Sequence, residues 1–146
     1  MSDTVRRILL AIFLFGTVGI TVELLLLGHV DGFLQLVPLV LAAMAVAAMA
    51  LAASRPSAWS VGMLQLVMAS LILSGVAGMA LHFKANTEFQ LEMDPSLTGL
   101  ALVRKAIVAK APPALAPGAM IQLGLIGLAY TFRHPGRRPS SHSGST

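Results

Sequence analysis

The strongest constraint in this chain is a set of apolar runs as long as a lipid bilayer is thick. From Ile8 to Gly28 only Thr17, Thr21 and Glu23 interrupt the first. Phe33 to Ala53 forms a second, rich in alanine with Pro38 inside it, and Trp59 to Phe83 a third and longest. A shorter fourth run, Ala114 to Phe132, carries Pro117 and Gly118 near its start. About 20 predominantly apolar residues in a helix cross the hydrocarbon core. Lipid offers the backbone no hydrogen-bond partner, so a helix that satisfies its own N–H and C=O groups is the fitting conformation.

Composition points the same way. The chain of 146 residues is 56% apolar and 11% charged, with a mean hydropathy of +0.82, whereas a soluble domain carries roughly 25% charged residues. Arg6 and Arg7 before the first run give it the look of a signal peptide. The run is too long for one, and no small-x-small cleavage site follows, so it reads as an uncleaved span.

The expected fold is an all-α integral membrane protein, a four-span up-down-up-down helical bundle forming one domain over 1–133. Its spans cover about 8–28, 33–53, 59–83 and 114–132. The short connections Gly28–Gly32 and Ser54–Ala58 make antiparallel neighbours of the spans they join. In the long outer loop from Lys84 to Pro113, Asp94-Pro95 reads as a helix start and Pro112-Pro113 as a stop. Leu97, Leu100, Ala101, Ile107 and Val108 gather on one face, which predicts a short interfacial helix over 95–111 lying in the membrane plane, with Arg104 snorkelling from within that face. The Pro-, Gly- and Ser/Thr-containing segment 134–146 predicts a disordered tail.

Charge placement sets direction. Arg6, Arg7, Arg55, Arg133, Arg137 and Arg138 share one side under four spans, and the positive-inside rule places that side, with both termini, in the cytoplasm. Trp59 and Tyr130 fall at the same interface, where amphipathic aromatics favour the headgroup level. The expected location is a cell membrane of the bacterial inner-membrane kind. Although the net charge is +4, the basic residues lie beside spans and form no aromatic-interleaved stripe, so nucleic acid is excluded as a partner. Absence of cysteine removes disulfide shuttling, thiolate metal sites and iron–sulfur clusters.

Few residues offer chemistry. Glu23 is the carboxylate inside a span, a position that defaults to a functional reading. It lies roughly 7.5 Å below the outer end of span one at 1.5 Å per residue, and Gln122 lies at a comparable depth in span four, so the two are expected to share a level. His29 and His82, at the outer ends of spans one and three, are weak candidates for a haem or divalent-metal site; they match no ligand spacing, and no cofactor is predicted. Ser70, Ser74 and Gly78 make a small-xxx-small ridge suited to close helix packing. Gln65, on the same span, reads as an interhelical hydrogen-bond residue. The eight methionines read as packing residues, with Met79 and Met93 the two placed for a soft metal. No phosphate loop, hydrolase triad or HExxH motif occurs.

A glutamate in the first of four spans resembles the small multidrug-resistance transporters, and that resemblance implies a proton-coupled carrier working through Glu23. The long loop before span four, the off-centre glutamate and the scarcity of aromatics in the spans set this chain apart from that family. The leading expectation is therefore a non-enzymatic accessory or structural subunit of a membrane assembly. Its partners would be the bilayer and other membrane subunits or a second copy. A Glu23 carrier and a haem or metal protein using His29 and His82 are the alternatives.

Overall fold

The computed structural model describes residues 1–28, 30, 32–109 and 115–137. Among these the secondary structure is helical throughout: α1 Asp3–Leu26, α2 Phe33–Ser54, α3 Ala58–Met93, α4 Gly99–Ile107, α5 Leu115–Thr131 and a closing 3-10 turn, Pro135–Arg137. Three of them, α1, α2 and α3, are long and apolar enough to cross a membrane, and α5 is a shorter apolar helix.

Helix ends follow local chemistry. The Ser2 hydroxyl accepts from Val5 N at the start of α1, and Gly28, at φ +65°, turns the chain beyond its end. Ser57 and Ser60 cap α3 reciprocally: each backbone N–H donates to the other's hydroxyl, at 3.1 and 3.0 Å.

One core is built from four helices. Phe13, Ile20 and Leu24 of α1 meet Ala45, Ala48, Met49 and Ala52 of α2, Leu64, Val67, Met68 and Leu71 of α3, and Met120, Leu123 and Tyr130 of α5. On α2, Ala42, Ala45, Ala48 and Ala52 are buried together with Met49, while Val40, Met44 and Val46 stay exposed. Phe15 is 85% exposed and Leu73 69%. Apolar surface on this scale marks contact with lipid or with other protein, and the buried alanines let α2 approach its neighbour closely.

The short connection between α2 and α3 joins neighbours, as expected, whereas α1 leans away from α2. α3 is the central post, packed most extensively on α5 and next on α2; α1 rests chiefly on α5 and touches α2 only lightly. Glycine explains the α3–α5 preference. A Cβ on Gly124 would lie 2.8 Å from the Met68 carbonyl oxygen, and one on Gly127 would overlap the Met68 side chain. The two backbones therefore approach closely.

The largest departure from the sequence reading is the length of α3. It continues ten residues past Phe83, to Met93. The segment 84–93 turns polar but contains no Gly or Pro, and Lys84 and Glu88 form an i,i+4 pair at 3.7 Å. Hydropathy reports a change of solvent there, not of backbone. At 1.5 Å per residue α3 is about 54 Å long against about 33 Å for α2, so its far end projects roughly 20 Å beyond α2.

The helix expected over 95–111 is also corrected. Asp94 ends α3 in an extended conformation, as a residue before proline favours, and α4 starts only at Gly99 (φ +56°). The Asn86 side-chain amide donates to the Ala106 carbonyl at 3.1 Å, so α4 descends antiparallel along the projecting part of α3. Packing on α3 decided its course: buried Ala106 fits against that helix. Pro112 and Pro113, the expected stop, lie outside the described residues.

Candidate functional site

Two places concentrate polar residues: the bundle end where both chain termini meet, and the projecting hairpin at the opposite end.

At the terminal end, the Arg6 guanidinium lies over the Tyr130 ring, 5.9 Å from its centroid. One of its terminal nitrogens donates to the Arg133 carbonyl at 3.3 Å, and the other sits 3.5 Å from Asp3. Its side chain is 11% exposed, and its Nε is buried without a hydrogen-bond partner among the described residues. His134 stacks at a tilt on the other part of Tyr130, ring centroids 5.4 Å apart. It is 4% exposed, and its Nδ1 accepts from Gly136 N at 3.3 Å. Burial, and secondarily the Arg6 charge, push the imidazole below its ordinary pKa. Arg133 reaches this turn through a positive φ of 50°. Gly136 then lies so close to the α2–α3 connection that a Cβ would stand 2.6 Å from Ser57 N.

This clasp joins the N-terminus, the end of α5 and the start of α3. Sequence reading assigned Arg6 to orientation, Tyr130 to the interface and His134 to a disordered tail. The structure corrects the last: His134 is buried against Tyr130, and 134–137 is packed on the bundle. Residues 138–146 lie outside the described residues. The missed signal was the spacing of Tyr130 and His134, four residues apart across the end of α5.

The intramembrane polar residues are mostly self-satisfied. Thr17 Oγ1 donates to the Phe13 carbonyl and Thr21 Oγ1 to that of Thr17, each at 2.7 Å, which spares lipid from an unpaired hydroxyl. Gln65 Nε2 donates to Thr131 Oγ1 at 3.1 Å, an interhelical bond of the kind its position predicted.

Glu23 and Gln122 are both exposed on the exterior of the bundle, and among the described residues no hydrogen bond joins them. Register explains the separation. Gly16 abuts Leu123, and Arg6 meets Arg133, which puts Gln122 level with Thr17, about 9 Å below Glu23 at 1.5 Å per residue. His82 is half-buried on α3 and has a partner of its own; His29 lies outside the described residues. Among those residues no three His, Asp or Glu side chains gather as a metal site would require.

Of the expected small-residue ridge, Gly78 faces α5, where a Cβ would stand 3.3 Å from Pro117 Cγ. Ser70 and Ser74 are only half-buried, and Ser70 returns its hydroxyl to the Leu66 carbonyl. The working ridge is Gly75 and Gly78 against α5, answered by Gly124 and Gly127 against α3. The Gly-x-x-Gly spacing of 124 and 127 was the available sign of it.

The hairpin is the other exposed feature. Phe89, Met93, Leu100, Ile107 and Val108 are exposed along it. Arg104 and Lys105 line a shallow, open depression with Ala101 and Val108. At the hairpin's tip, Asp94 Oδ1 accepts from both the hydroxyl and the amide of Ser96, at 2.6 and 3.1 Å. Among the described residues, neither place sets a nucleophile beside a base. No protein-family model, curated protein or solved structure matches this chain.

Proposed function

We propose that this chain crosses a cell membrane four times, through α1, α2, α3 and α5, as a non-enzymatic accessory or structural subunit of a membrane assembly. In this reading the α3–α4 hairpin is its contact element outside the bilayer. Meeting of the two described chain ends in the Arg6–Arg133 contact supports an even number of crossings. Clustering of Arg6, Arg7, Arg55, Arg133 and Arg137 at that end favours a cytoplasmic location for it. A glycosylation or protease map placing the two termini on opposite faces refutes the topology.

The observation that carries the role is the projection of α3 roughly 20 Å beyond α2, with Phe89 and Met93 exposed on it. A lone bundle gains nothing from extending one helix into solvent and leaving large apolar side chains there, whereas a partner covering them does. Affinity purification from native membranes in mild detergent tests this. The full chain recovers a stoichiometric partner, and Phe89→Ser with Met93→Ser loses it. Recovery as a lone chain in both cases removes the proposal.

A further inference from the structure

We propose that the lower half of α4 is a binding site for the phosphate of an anionic phospholipid in the adjoining leaflet, with Arg104 and Lys105 as its ligands. This rests on the membrane reading above, but not on the existence of a protein partner.

The placement of α4 carries the argument. Between Arg55 and Lys84 the chain has no Lys, Arg, Asp or Glu, so Lys84 marks where α3 leaves the hydrocarbon. Pairing of Asn86 with Ala106 sets Ala106 about 3 Å beyond that point, and Arg104 about 6 Å beyond it, at 1.5 Å per residue. The headgroup layer is roughly 5–8 Å thick on each side of the core. Arg104 therefore stands at phosphate depth.

The side chains present the matching chemistry. Ala106 turns inward onto α3, so Leu100, Arg104 and Ile107 run along the outward face of α4 with Val108 beside them, all exposed. Among the described residues the Arg104 guanidinium makes no hydrogen bond or ion pair; its backbone carbonyl accepts from Val108 N at 3.1 Å. Lys105 is held only by Asp94, at 3.9 Å, with both side chains largely open to solvent. A guanidinium and an ammonium on adjacent residues, over a depression whose other walls are Ala101 and Val108, meet a phosphate with its glycerol and acyl stem better than they meet a soluble anion. The guanidinium supplies paired N–H donors, and Ile107 and Val108 reach toward the acyl boundary as interfacial helices do. That such a stripe faces outward, rather than onto α3, is what the lipid explains.

The test uses the full chain, purified in mild detergent and equilibrated with equal amounts of phosphatidylglycerol and phosphatidylcholine, with retained lipids counted by native mass spectrometry. Wild type retains the anionic lipid preferentially. Arg104→Gln with Lys105→Gln lowers that preference at least fivefold, about a factor of five being expected for each basic side chain near the headgroups. Arg104→Lys with Lys105→Arg keeps it. An unchanged preference in the Gln variant overturns the proposal, as does complete displacement of the lipid by millimolar inorganic phosphate, which would make the ligand a free anion. A chain that stays monodisperse in buffer without amphiphile and carries no lipid overturns the membrane reading itself. Lipid retained without headgroup preference overturns only this site.

Discussion

Gly75 and Pro117 bring α3 and α5 into backbone contact: a Cβ on Gly75 would lie 2.6 Å from the Pro117 carbonyl oxygen and equally close to Ile121 Cγ1. Neither helix backbone yields to relieve such an overlap without shifting the whole interface. Gly75→Ala and Gly124→Ala are therefore expected to destabilise the fold by about 1–3 kcal/mol each, the range for overpacking a close-packed core. Gly19, with nothing within 4 Å of its Cβ position, is the control. Gly19→Ala should leave stability unchanged or slightly raised. Unfolding in mixed micelles by a denaturing detergent measures all three, and equal effects at Gly75 and Gly19 refute the close approach.

Gln65 and Thr131 link the same two helices near the terminal end. Gln65→Leu should cost about 0.6 kcal/mol, and under 2 kcal/mol, as interhelical hydrogen bonds within membranes do. Thr131 still donates to the Leu128 carbonyl at 2.7 Å, so its hydroxyl is not stranded. The same unfolding assay reads the effect, and a larger loss would mean that Gln65 holds the bundle together rather than trimming it.

His134 makes the clasp sensitive to acid. Burial and the Arg6 charge hold its imidazole below the ordinary 6.5, so the unfolded turn takes up a proton more readily than the folded one. The clasp then has its full stability above pH 6.5 and loses it as pH falls through the folded-state pKa. Amide exchange or limited proteolysis across 132–137 should accelerate over that interval. His134→Phe, which keeps the ring on Tyr130 without the titration, should flatten the dependence; an unaltered pH profile in that variant assigns the effect elsewhere.

Asp94 holds the tip of the hairpin. Its hydrogen bonds from the Ser96 hydroxyl and amide lower its carboxyl pKa, and Lys105 adds to this. Asp94→Ala should speed hydrogen exchange in α4 while leaving that of α1, α2 and α5 as in the wild type. Uniform acceleration throughout would show that the hairpin and bundle unfold as one unit.

Glu23 is exposed and about 9 Å from the level of Gln122 at 1.5 Å per residue. Glu23→Gln should change stability by less than about 0.5 kcal/mol, as for an exposed side chain with no partner among the described residues. Thermal unfolding in detergent checks this, and a loss above 1–2 kcal/mol would place the carboxylate in a contact that a second chain supplies.

The sequence by itself determined the solvent. Apolar runs at Ile8–Gly28, Phe33–Ala53 and Trp59–Phe83 located the three long helices to within a few residues at most ends, because the length needed to cross lipid and the demand for internal hydrogen bonds act on each segment alone. Gln65 was legible for the same reason: an amide in an apolar helix must find a partner. Tertiary structure alone decided what depends on two segments meeting. Hydropathy lost α3 at Phe83, since a helix leaving lipid changes its polarity and not its conformation. Glu23 and Gln122 looked level when counted from their own span ends, but helix register is set by Gly16 against Leu123 and by Gly75 against Pro117. His134, in a segment too polar and proline-rich to fold alone, is ordered because Tyr130 and Arg6 are already in place to receive it.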